Sequence, residues 1–283
     1  MLSTIAAHLT EDMVELLEGR VSLALNALLP IERLKLPVLQ PKKADEGYCG
    51  RHRGYGMGEL LLALGWYFVF LFSTTFHEAA HAWVAQRGGD LTAYEGGQVS
   101  LDPRPHIRRE PWGMVVLPLI SVLMFGWPFG FASTPYDPMW TRRYPRRAAW
   151  MSLAGPGANL LLVAAAGLVL RLGISLGYLE VPGHFAFTRL ATGTNSGYWT
   201  SIAVLLSMLF ILNLILAVFN LLPVPPLDGS GAVLLFLRKE QVAAYQNLLQ
   251  HPLLRGFGIL VAWYLFEPLL RPVLIAALRL LYL

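Results

Sequence analysis

The sequence predicts an all-α polytopic membrane protein, with about 4–6 transmembrane helices and a re-entrant or β-like segment after the first core helix. Three observations predict it. Of 283 residues, 55% are hydrophobic and only 14% charged, where an ordinary soluble domain carries about 25% charged residues. The mean hydropathy of the chain is +0.51, and several apolar runs approach the roughly 20 residues that span a bilayer. One further apolar run, 111–130, holds Pro118 and ends in Gly-Trp-Pro-Phe-Gly, which suits a segment that enters the membrane without crossing it.

Taken in order, residues 1–58 read as an N-terminal amphipathic helix and linker. The helix, over 12–30, has the pattern of one lying on a membrane surface, and the Pro/Gly-rich stretch 36–56 follows it. Glu11, Asp12, Glu15 and Glu18 do not fit the basic start and apolar block of a cleavable signal peptide. Helices are expected at 59–86, 148–171, 199–222 and 256–281, the last kinked or split by Pro268 and Pro272. The loop 172–198 is too short for an independent domain, which needs about 50 residues.

Charge and cysteine content exclude other classes. The net charge of +4 fits basic loops on one membrane side, so no nucleic-acid partner is expected. Cys49 is the single cysteine, which rules out an internal disulfide and a Cys-rich zinc module. Cys49 and His52 make at most half of a four-ligand site.

The run 59–76 leads into Phe-His-Glu-Ala-Ala-His-Ala-Trp. A charged group within a span costs roughly 2.5–3.5 kcal/mol or more, so a functional reason is needed. On a helix, positions i and i+4 share a face, and His77 and His81 can aim two imidazoles at one metal ion. Glu78 projects about 100° round the helix and flanks the metal without ligating it. This is the pattern in which Glu is general base to a metal-activated water. The bland alternative is a helix end at the interface with snorkelling polar groups.

A catalytic zinc takes three protein ligands and keeps one open position. Asp228, in Asn-Leu-Leu-Pro-Val-Pro-Pro-Leu-Asp-Gly, is the best candidate for the third. Pro223, Pro225 and Pro226 break the helix before it, and broken backbone at that depth belongs where it lines a site or is buried. A plain Pro-Asp-Gly interfacial turn is the competing account. If both motifs serve one site, they lie at similar depth on one side. That holds if 148–171 leaves this side, 199–222 returns, and 111–130 does not cross. Four Arg in 87–110 and four in 142–147, against Arg189 alone in 172–198, make that side cytoplasmic. Lys42, Lys43, Arg51 and Arg53 run against this pattern.

With these motifs in hand, the chain resembles the site-2 proteases, zinc metalloproteases that cut within membranes. His-Glu-Ala-Ala-His, Ala-Gly-Pro-Gly-Ala-Asn at 154–159 and Asn220 through Gly229 follow the family patterns H-E-x-x-H, G-P-x-x-N and N-x-x-P-x-P-x-x-D-G in order. The resemblance covers about 59–235 and implies an intramembrane metalloprotease core there, with 236–283 a C-terminal loop and transmembrane helix. It implies His77, His81 and Asp228 as ligands of one zinc ion per chain and Glu78 as catalytic acid/base. Asn159 and Asn220 become candidates for site support, with interhelical hydrogen bonding the alternative for both. The stretch 96–107 resembles an L-x-P-x-x-H-I element of the small bacterial branch without a PDZ domain, making His106 a further candidate, or a structural loop histidine. In 129–138, Ser133 stands where that branch usually has Lys.

The resemblance thus implies hydrolysis of peptide bonds in or near transmembrane segments of a membrane-embedded protein substrate, in a bacterial inner membrane. An exposed strand edge at 92–101 or 130–137 is expected to hold the unwound substrate. A catalytically inactive membrane scaffold of the same fold, or a metal transporter, are the alternatives.

Overall fold

The computed structural model describes residues 57–195 and 197–283. The amphipathic helix at 12–30, the linker, and Cys49 with His52 lie outside them. Among the described residues, four helices are long and apolar enough to cross a membrane: α1 (Met57–Gly88), α6 (Pro145–Ser175), α7 (Tyr198–Asn220) and α10 (Pro252–Tyr282). They correspond to the four expected helices. Between them lie α2 (Thr92–Glu95), α3 (Pro103–Arg109), a π-helical turn (Trp112–Val116) running into α4 (Leu117–Phe125), and α5 (Pro138–Arg143). A two-residue hairpin, β1 (Leu179–Glu180) and β2 (Thr192–Gly193), sits between α6 and α7. After α7 come α8 (Asp228–Ala232), a 3-10 turn (Val233–Leu235) and α9 (Lys239–Leu249). The chain is an all-α polytopic membrane protein.

The apolar run after the first helix turns back. At a rise of 1.5 Å per residue, the helical stretch 112–125 is only about 21 Å long, short of the roughly 30 Å hydrocarbon core. Gly126 ends it in the left-handed conformation, φ 70°, as helix-terminal glycines do. The chain then returns through 128–137 without helix or strand ladder. Six extended residues cover about 20 Å, enough to retrace the helix, and the Phe131 amide reaches the Gly113 carbonyl at 3.1 Å. A Cβ at Gly113 would collide with Phe131 O, and one at Gly130 with Gly113 O and Phe70. Glycine at both positions lets the returning strand lie directly on the helical turn. Ser121 Oγ supports it by accepting the Phe129 amide at 2.7 Å.

The segments around this hairpin are set by local chemistry. Asp102 and Asp137 each accept an amide from the first turn of α3 and α5, with proline following, the expected start signal for a helix. Arg104 bonds the partly exposed Asp102 carboxylate and holds its pKa below the usual range. The stretch 92–101 is not a strand edge. Asp90 Oδ1 accepts both the Thr92 amide (3.0 Å) and its hydroxyl (2.6 Å), which starts the helical turn α2, and Gly97 turns the chain at φ 72°. Asp90 also accepts the Asp137 amide at 2.8 Å, tying the end of the extended segment to the end of α1.

The core lies where α1, α6 and α7 meet. Trp66, Phe70, Leu170, Met208, Ile211 and Leu212 form one buried cluster with residues of α10. Helix α10 is not split into two pieces: it runs as one helix through Pro268 and Pro272. Each proline deletes one hydrogen bond, and neighbouring groups can hold the remaining turns. Tyr282 donates to Leu190 O and Arg171 to Leu280 O, both at 2.8 Å, fixing its far end.

Candidate metal centre

His77, Glu78 and His81 lie on α1 about two to three turns before its end, and all three are buried. The i, i+4 spacing stacks the two imidazoles as expected. His77 Nε2 and His81 Nε2 are 3.0 Å apart. Asp228, 151 positions away from His77, begins α8 and places Oδ2 at 3.1 Å from His77 Nε2 and 3.3 Å from His81 Nε2. The helix break brings it there. Beyond Leu222 the proline-rich turn reverses the chain, and Gly229 packs against the end of α7 so tightly that a Cβ would collide with the Leu221 and Leu222 carbonyls. Glycine after Asp228 is therefore a steric requirement.

The outer nitrogens of both histidines are committed. His81 Nδ1 lies 2.7 Å from Met151 O, and a carbonyl can only accept, so Nδ1 carries the proton. Pro156, inside α6, removes the amide that would bond the neighbouring Ser152 carbonyl and loosens the helix there. His77 Nδ1 lies 2.5 Å from Asn159 Oδ1. In neutral imidazoles protonated at Nδ1, both Nε2 atoms present lone pairs. Three lone-pair donors then converge within 4.8 Å, an arrangement that a cation between them relieves. Among the described residues this is the one group of three such side chains gathered tightly enough to hold a metal ion.

Two imidazoles and one carboxylate match the three-ligand set of a catalytic zinc site, and hydrogen bonds to each outer nitrogen are the usual support for metal-bound histidine. Gly155 makes the space: a Cβ there would collide with Nε2 of both histidines. This accounts for the small residue in the Gly-Pro-Gly-Ala-Asn stretch.

Beside the group lies a cavity of about 290 Å³, lined by Glu78, His81 and Asp228 and walled by Ala132, Ser133, Thr134, Met151, Ser152 and Gln246 among others. Thr134 Oγ1 lies 2.7 Å from Glu78 Oε2 and 3.0 Å from Glu78 O. The hairpin thus delivers a hydroxyl to the carboxylate next to the metal donors. Helix α9 closes another side, where Gln246 donates to Thr141 O at 2.9 Å and Tyr245 to Ser230 O at 2.8 Å.

The remaining candidates are placed as follows. Asn159 is fully buried and touches the site through His77. Asn220 turns back on its own helix and donates to Leu216 O at 3.0 Å. His106 is buried in α3, its Nε2 3.1 Å from Ser100 O, and does not line the cavity. Ser133 Oγ donates to Glu110 Oε1 at 2.5 Å and accepts from Arg109 Nε at 3.2 Å, so cationic charge stands beside it after all. Sequence reasoning missed Thr134 and Asn213. A lone Asn in the middle of the apolar α7 was the available signal for Asn213, because a buried amide there needs partners.

Fold and site together define a helical membrane protein with a buried two-histidine, one-carboxylate metal group opening on a polar cavity. Comparison with known proteins agrees. The sequence model of Peptidase family M50 matches residues 66–252, and the chain belongs to that family, the site-2 protease family. It is 34% identical over 157 residues to the Bacillus subtilis protein named "Putative zinc metalloprotease YwhC", covering 56% of this chain and 62% of the relative. The Rip2 protein of Mycolicibacterium smegmatis, under the same form of name, is 32% identical over 174 residues, 62% of this chain and 56% of its own. Rip2 of Mycobacterium tuberculosis is 30% identical over 219 residues, 74% of this chain and 73% of the relative. The chain thus spans less than two thirds of the length of the first two relatives. No solved structure matches it significantly.

Proposed function

We propose that this chain is an intramembrane zinc metalloendopeptidase, hydrolysing peptide bonds in or near transmembrane segments of a membrane-embedded protein substrate. The observation that carries the proposal is the convergence of the His77, His81 and Asp228 donors with Glu78 on the wall of the same cavity. The names of the relatives point the same way.

His77, His81 and Asp228 would hold one zinc ion, which would supply Lewis acidity and make water acidic enough to ionise near neutral pH. Glu78 takes the proton of the attacking water and passes it to the departing amine nitrogen. Thr134 holds Glu78 in place by its hydroxyl, and Asn159 holds the His77 ring. The catalytic core extends to about residue 235, with α10 a separate C-terminal span.

A helical substrate hides its scissile carbonyl and must unwind. The extended segment 130–137 offers it an edge. Phe131 N is taken by Gly113 O, and Ser133 O accepts from Gln98 at 3.4 Å. Successive residues of extended backbone point their amides and carbonyls to opposite edges. Those of Ala132 and Thr134 therefore face away from these partners, while all three of Ala132, Ser133 and Thr134 line the cavity. Main-chain pairing there holds a substrate strand without demanding a particular sequence. The basic clusters at 87–110 and 142–147 support a cytoplasmic placement of the site in a bacterial inner membrane.

The test is reconstitution of Glu78→Gln with a membrane-embedded substrate. The variant is expected to keep its zinc and lose cleavage altogether. Cleavage at the wild-type rate by a zinc-loaded Glu78→Gln protein would overturn the mechanism. A scaffold or transporter would show no cleavage by the wild type either.

A further inference from the structure

We infer that Asn213, in the middle of α7, is a positioning residue for the metal group: acting through Asn159, it dictates which nitrogen of His77 carries the proton and keeps Nε2 free for the metal. The inference rests on the proposed role of His77 as a metal ligand.

One group in this relay has a fixed hydrogen-bonding role. Leu209 O is a main-chain carbonyl and can only accept. It lies 2.8 Å from one terminal atom of the Asn213 amide, so that atom is the nitrogen Nδ2. The same NH₂ group donates its second proton to Ser73 Oγ at 2.8 Å. The other terminal atom, Oδ1, is therefore the one facing Asn159 at 2.7 Å. An oxygen facing Asn159 must receive a proton, which makes the Asn159 atom Nδ2. It follows that Asn159 turns Oδ1 to His77, and that His77 donates from Nδ1. One carbonyl of α7 thus sets the tautomer of a histidine on α1, through an amide on α6.

The polar side chains of the relay are sealed off. Ser73, Asn159 and Asn213 are fully buried, so bulk water cannot replace a missing member. Without the Asn213 carbonyl, Asn159 is free to turn its amide by 180°. Its NH₂ group would then face His77 Nδ1 and favour the tautomer with the proton on Nε2, where the metal belongs. Ordinary helix-to-helix glue looks different here. Ser207, also buried on α7, donates to Ala203 O and accepts the Leu190 amide, and Asn220 bonds only its own helix among the described residues. Neither reaches a metal donor.

A carboxylate accepts in either orientation, and this provides the test. Zinc affinity is measured in detergent, by competition with a chelating dye, for wild type, Asn213→Leu and Asn159→Asp/Asn213→Leu. Asn213→Leu is expected to bind zinc at least about tenfold more weakly, the range seen when groups supporting a metal-bound histidine are removed. The double variant is expected to recover to within about threefold of wild type, since the carboxylate introduced on α6 needs no partner to present an oxygen to His77 Nδ1. Unchanged affinity in Asn213→Leu would overturn the inference. So would a double variant as weak as the single one, or one that fails to fold, because Asn213 would then act by packing. Absence of zinc from the folded wild-type protein would instead overturn the metal site itself.

Discussion

Gly155 approaches His77 so closely that a Cβ on it would collide with the imidazole Nε2. Alanine is otherwise the better residue in a helix, by about 1 kcal/mol. Gly155→Ala should nevertheless lose stability even without zinc, because the collision with both imidazoles outweighs that propensity gain, and should bind zinc at least about tenfold more weakly. Thermal unfolding with and without zinc separates the two effects. Equal zinc stabilisation in both proteins would show that the imidazoles have room to move.

The Asp228 carboxylate supplies the third donor from a distant part of the chain. Asp228→Ala leaves two imidazoles, one short of the three ligands of a catalytic zinc. About one zinc per wild-type chain and a large loss in the variant are expected in metal analysis of protein purified in detergent. Zinc content unaffected by the substitution would place the third ligand elsewhere.

What could be read from the sequence was whatever depends on near neighbours. Four spans follow from runs of apolar residues, and the His77–His81 pair follows from one helical turn. Pro118, the Gly-Trp-Pro-Phe-Gly end and the need to keep both motifs on one side foretold that 111–130 turns back. Asp228 was reachable because three prolines and Gly229 mark a broken helix. Partners fixed only by packing were not reachable. Nothing local in the sequence says that Thr134 meets Glu78, 56 positions away, or that Asn213 meets Asn159, 54 positions away. The converse error has a physical cause too. At 92–101 the Asp90 side chain captures the Thr92 amide and favours a helical turn over a strand, and Gln98 donates its side chain to the segment that is extended, at Ser133 O.

Thr134 is a hydroxyl donor to the carboxylate proposed as the acid/base. Thr134→Val keeps the shape and removes the donor. A hydrogen bond to a charged group is worth about 1.5–3 kcal/mol, so kcat should fall by roughly 10–100-fold if the bond strengthens in the transition state. Zinc content should stay at the wild-type level. A fall in zinc alongside kcat would mean that Thr134 supports the fold of the site instead of the orientation of Glu78.

The two edges of the extended segment differ, and that difference can be measured. Phe131 N and Ser133 O are engaged by Gly113 and Gln98, which leaves the main-chain groups of Ala132 and Thr134 on the cavity side. Proline deletes one amide proton and holds φ near −65°, a value extended backbone tolerates, and Pro135 already lies within the segment. Ala132→Pro removes an N–H that points to the substrate. Ser133→Pro removes one that points away, while keeping the same chain stiffness. Turnover of a membrane-embedded substrate should drop at least about tenfold for Ala132→Pro, consistent with the loss of roughly 1.4 kcal/mol or more of transition-state binding. Ser133→Pro should lose much less, and both variants should keep their zinc. If the two prolines were equally harmful, the damage would come from distorting the segment. If neither changed turnover, the substrate would be held by another part of the cavity, and pairing along 130–137 would be abandoned.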